Sequence, residues 1–173
     1  MLLLALGFNA LYLTRRAMLK YVASAFDPLG LLLPWLIKGR MLFQKATAEK
    51  AFRWDQDVPT DVEAEWQHWI SDMESQSALA FPRCVIESRF DDAYHECHVF
   101  CDASMAAYST CVYLRCVNSI GEISSQLIVA KAHVAPIRQM TIPRLELQAA
   151  QKAVLIAAVV KRGMGLHSFG LTP

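Results

Sequence analysis

The chain has 173 residues, 54% of them apolar and 19% charged, which suits one ordinary domain or two small ones and excludes a disordered tail. Its formal net charge of +1 excludes capture of a polyanion through bulk charge, so a nucleic-acid surface has to be a local patch. Of the five cysteines (Cys84, Cys97, Cys101, Cys111, Cys116) only Cys97 and Cys101 are closely spaced. With no second pair at zinc-ligand spacing, they read as buried, reduced thiols of an intracellular protein, in the cytoplasm or nucleus.

Residues 1–13, MLLLALGFNALYL, are apolar, and the first basic residues, Arg15 and Arg16, follow the run. A secretory signal has the opposite order, and a membrane span takes about 20 residues. The run reads as a buried or foreign amino terminus, with a cleaved signal or a monotopic anchor left open.

Residues 14–78 read as helical. Thr14 is placed to cap a helix through RRAMLKYVASAF, which DPLG, residues 27–30, then breaks: Pro28 disfavours helical geometry at Asp27, and Gly30 permits a turn. Pro34 suits the first turn of a second helix over about 35–52. TDVE, from Thr60 to Glu63, has the form of a capping box opening a third helix. Along it Val62, Trp66, Trp69, Ile70 and Met73 recur at helical spacing. The two tryptophans read as core on that apolar stripe rather than as base-stacking platforms.

Residues 79–173 change texture. RCVIESRF is a candidate short strand. CHVFCD is a strand apolar on both faces, hence expected at the centre of a sheet. AYSTCVYLRCV (107–117), the turn NSIGE and ISSQLIVAKAHV (123–134) continue it as an antiparallel meander. TIPRLELQAAQKAVLIAAVVK is a long helix with Thr141 as cap and Pro143 in its first turn. It is apolar nearly all round and so expected to be well buried. Alanines at 149, 150, 153 and 157 share a face with Glu146 and allow close approach to the sheet. The fold class is therefore α+β: a helical segment, then a three-stranded antiparallel meander with a buried helix.

Two carboxylates stand where acid is unexpected, Asp102 at the end of the strand HVFCDAS and Glu146 on that helix. If the helix packs on the meander, both can reach one site. Mg²⁺ and Mn²⁺ take oxygen ligands, and a pair of such ions about 4 Å apart serves phosphoryl transfer. The residues alone leave the structural alternative open, in which Asp102 caps the turn after it and Glu146 pairs with Arg144, Arg138 or Lys131.

HVFCDASMAAYSTCVYLR followed by LIVAKAHVAPIRQMTIPRLELQAA resembles the Pol polyprotein of Pao/BEL-type LTR retrotransposons, where reverse transcriptase passes into ribonuclease H. YVASAFDPLGLLLPWLIKGRMLFQ and FPRC resemble the family's upstream segment, so the likeness covers about residues 14–162. It implies a helical, thumb- or connection-like segment at 14–78 and a truncated ribonuclease H-like domain at 79–173. It further implies Asp102 and Glu146 as the first two metal-binding catalytic carboxylates, with Mg²⁺ or Mn²⁺ as cofactor. Lys131, His133, Arg138 and Arg144 would face the backbone of an RNA–DNA hybrid. A small-molecule substrate is not implied. The resemblance also sets out what this chain lacks. No Asp or Glu follows Glu146, and Ser109 follows Tyr108 where the family usually has glycine. The expectation is an incomplete, inactive site with weak metal binding. The alternatives are a hydrolase completed from outside this chain and a domesticated module that binds nucleic acid or protein without chemistry. Uncovered sheet edges would favour self-association.

Overall fold

The computed structural model describes residues 13–48, 53–75, 84–87, 90 and 93–164. The apolar amino-terminal run therefore lies outside the described residues, apart from buried Leu13. The chain forms two compact units: one holds the described residues of Met1–Asp27 and Leu32–Phe81, the other those of Pro28–Leu31 and Pro82–Pro173.

The first unit packs three helices, α1 (Arg15–Ser24), α2 (Leu33–Ala48) and α3 (Thr60–Ser75). Thr14 caps α1, its hydroxyl accepting the Ala17 N–H at 3.2 Å. The helix stops at Ser24, short of Pro28. α2 is described to Ala48, and its expected end near 52 lies outside the described residues. α3 begins one residue earlier than the capping box predicts: Thr60 is already helical, and the Pro59 carbonyl accepts from Glu63 N at 3.0 Å. Val62, Trp66, Trp69 and Ile70 are buried as their spacing predicts. Tyr21 meets both tryptophans edge-on at 5.7 Å. Trp69 lies so close to α2 that a Cβ on Gly39 would fall 2.4 Å from its ring, and its indole N–H donates to the Trp35 carbonyl at 2.9 Å. Buried Arg15 donates to the Ala46 carbonyl in the last turn of α2 at 2.8 Å, which sets a cation against the negative end of that helix.

The second unit is a meander of β1 (Tyr94–Ala103), β2 (Ala107–Val117) and β3 (Ile123–Val134), with α4 (Ile142–Met164) packed on β1 and β2. The strand order is β1-β2-β3, both pairings antiparallel. β1 is thus an edge strand of the described sheet, and β2 is the central one. Two-faced apolar character did not put CHVFCD in the middle, because in a meander the middle place goes to the second strand. Burial alternates along β2, with Thr110, Val112, Leu114 and Cys116 on the helix-covered face. A bulge between Val112 and Tyr113 slips the pairing with β3, leaving Ile128 as the extra residue. Gly121, at φ 84°, closes the β2–β3 turn. RCVIESRF is not a strand in the described residues: Cys84–Glu87 is irregular, and Phe90, turned by a bond from its N–H to the Glu87 carbonyl, plugs the core.

α4 buries one stripe rather than its whole surface. Leu145, Ala149, Ala153, Ala157 and Val160 face the sheet, while Leu147, Val154, Leu155 and Val159 are exposed. All five cysteines are free. Only Cys97 and Cys116 are buried, whereas Cys84 and Cys101 are exposed.

Candidate metal and nucleic-acid site

β1 ends at one edge of the hairpin, and its register places Asp102 opposite Ser109. Both side chains are exposed, so Asp102 does not carry the burial cost that an apolar strand suggests. The pleat assigns it to the row of Glu96, His98 and Phe100, opposite the row of buried Cys97 and Val99. Its Oδ1 accepts the N–H of Ala103 at 2.8 Å. The turn that follows is tied by Ser104 instead: the Ser104 N–H donates to the Ala107 carbonyl at 2.8 Å, and its hydroxyl accepts the N–H groups of Ala106 and Ala107.

Glu146 lies in the first turns of α4, on the helix that covers the Cys97–Val99 face, whereas the pleat puts Asp102 on the opposite row of β1, so the two carboxylates are not brought together. Ala107 pairs with Val134 where β3 ends, and the Ala135 N–H donates to the Ala106 carbonyl at 2.9 Å. The chain then enters α4 at Ile142, with the Thr141 carbonyl accepting from Arg144 and Leu145. Ala153, Ala157 and Val160 share a core with Cys97, Val99, Val112, Leu114 and Cys116. Like Asp102, Glu146 is exposed. Among the described residues neither carboxylate has an ion-pair partner; Arg138, Arg144 and Lys131 do not hold Glu146.

Lys131 and His133 lie near the end of β3. Lys131 pairs with Thr110, one rung from Asp102–Ser109–Ala132, and its ammonium donates to the Pro28 carbonyl at 2.9 Å. His133 is exposed and stacks on Tyr108 across the strands, 5.2 Å between ring centroids. Arg138 and Arg144 are exposed, on the β3–α4 connection and the first turn of α4. The sequence profile of the Pao retrotransposon-like RNaseH-like domain matches residues 14–170. The chain belongs to that family. No curated protein and no solved structure matches it.

For a Pao RNaseH-like domain, Asp102 and Glu146 are donors of the right type for a hard divalent ion. Mg²⁺ keeps several waters and is commonly held by one or two carboxylates plus substrate phosphates, so two such donors placed together would make a weak site on their own. Among the described residues no group of three or more His, Cys, Asp or Glu side chains is placed to hold a metal ion. The described part of the domain therefore does not fit a complete Mg²⁺ or Mn²⁺ site. Also among the described residues, no helix is long and apolar enough to cross a membrane.

Two features of the domain escaped the sequence reading. The Tyr108–His133 stack depends on the cross-strand register, which the bulge shifts. The contact of Pro28–Leu31 with β3 joins residues about a hundred positions apart, and DPLG by itself announces only a break.

Proposed function

We propose that this Pao RNaseH-like chain is the part of a retrotransposon Pol polyprotein that joins reverse transcriptase to ribonuclease H, and that it binds RNA–DNA hybrid at the Asp102 end of its sheet without hydrolysing it unaided. What supports this reading is the family match over residues 14–170, together with Asp102 near the end of β1 and Glu146 in the first turns of α4, both exposed and without ion partners among the described residues. Two-metal hydrolysis needs the ions clamped on both the attacking and the leaving oxygen, and the reading gives this chain only two of the carboxylates such a clamp uses. Mg²⁺ or Mn²⁺ would be held weakly.

The test is a titration of labelled RNA–DNA hybrid with the purified chain across a salt series. Binding through phosphate contacts weakens linearly in log–log form. Replacing Arg138 and Arg144 together with glutamine should reduce the slope by about two. Salt-insensitive binding, or none to the hybrid, would refute the reading and favour a module with a protein partner.

A further inference from the structure

The β3 edge is bonded to a distant segment at Ala130 and Lys131. The outward N–H of Ala130 donates to the Leu29 carbonyl at 2.7 Å, and the Lys131 ammonium donates to the Pro28 carbonyl at 2.9 Å. Pro28–Leu31 accordingly clusters with the sheet, although its chain neighbours on both sides belong to the helical unit. The segment is shaped for this course. Gly30 turns it at φ 79°, a conformation that other residues adopt only with strain, and the Asp27 carboxylate accepts the Leu32 N–H at 2.9 Å where the helix resumes. Leu29 is 47% exposed and Leu31 is half-buried.

One of the two bonds comes from a residue of the proposed hybrid-binding end. The acceptor it uses is a neutral carbonyl, and a phosphate oxygen is a stronger acceptor for an ammonium because both partners are charged. We propose that Lys131 is a shared contact: it anchors the Pro28–Leu31 strap in the free chain and transfers to a phosphate when nucleic acid binds, so that strap closure and binding compete. This inference rests on the hybrid-binding reading above. Competition of this kind is reciprocal. What nucleic acid does to the strap, the strap does to the affinity for nucleic acid.

The Ala130 amide reports the strap directly, since its partner is a strap carbonyl and not β2. Hydrogen exchange of the full chain is followed at Ala130, with the central-strand Val112 amide as internal control. Lys131→Met alone should speed exchange at Ala130 about two- to tenfold, the range expected for one hydrogen bond. Saturating RNA–DNA hybrid should do the same to the unsubstituted chain. Gly30→Ala strains the strap and keeps Lys131, so it should tighten hybrid binding by a similar factor. Asp27→Ala replaces it if Val112 protection falls. The proposal is overturned if Lys131→Met leaves Ala130 exchange unchanged, or if hybrid binds while Ala130 exchange stays the same or slows. Failure of the hybrid to bind at all would remove the functional reading and this inference together. The Lys131→Met arm, read without nucleic acid, separates that failure from a wrongly assigned strap.

Discussion

Gly39 and Trp69 show how much a single methyl group matters in the helical unit. The indole occupies the space a side chain at 39 would need, at 2.4 Å from a Cβ, and the ring is pinned by its bond to the Trp35 carbonyl. Gly39→Ala forces Trp69 out of a packed site, and overpacking of this kind costs about 1–3 kcal/mol. Chemical denaturation followed by tryptophan fluorescence should show the loss. A variant as stable as the parent would mean that the helices are not so closely packed. On the sheet, Arg115 donates to the Glu96 carboxylate at 2.6 Å and His98 lies 3.4 Å from it. Arg115 chiefly, then His98, hold that carboxyl below its ordinary value of 4.5. A carboxyl depressed in the folded state contributes stability above its unfolded value, and that contribution is lost as pH falls through the folded one. Stability should therefore decline below about pH 4.5, and Glu96→Gln should flatten that limb in pH-dependent melting. Identical profiles for the two proteins would contradict the pairing. The sequence displays Asp102 and Glu146 as acids in apolar surroundings. It does not display that both side chains reach solvent, because exposure depends on which strand is central and which stripe of α4 faces the sheet.

α4 was legible as an element from its cap, its proline and its length, but not in its orientation. An apolar helix with alanines on one face and Leu147, Val154, Leu155 and Val159 on others offers more than one stripe to a sheet. The choice falls to the alanines, which permit close approach over β1 and β2. Ala149 is fully buried there. Ala149→Leu should lift the helix and cost about 1–3 kcal/mol, read as a lower midpoint in urea, whereas Leu147→Ala on the exposed side should leave the midpoint nearly unchanged. Equal effects at both positions would mean that the wrong stripe has been assigned. β1 makes a similar point. Its apolar run fits a buried strand, but Phe100, Cys101 and Asp102 are exposed at the edge of the described sheet. The run marks the strand's existence and leaves its neighbours undetermined.

The whole chain divides into two compact units, each with its own apolar core, and the family match spans both. Family and fold class were readable because motif order survives in a single sequence: a broken helical segment, an apolar strand ending in Asp-Ala-Ser, a meander, then a helix bearing glutamate. The Pro28–Leu31 strap was not readable, since it joins distant residues through main-chain atoms that carry no side-chain signature. Asp102 and Glu146 are proposed as parts of a nuclease site that the described residues do not complete. The most direct measurement is incubation of the purified chain with an RNA–DNA hybrid and Mg²⁺ or Mn²⁺, resolved by length on a denaturing gel. The account predicts hybrid that is bound and remains intact. RNA cleavage by the parent chain that disappears with Asp102→Asn would contradict it.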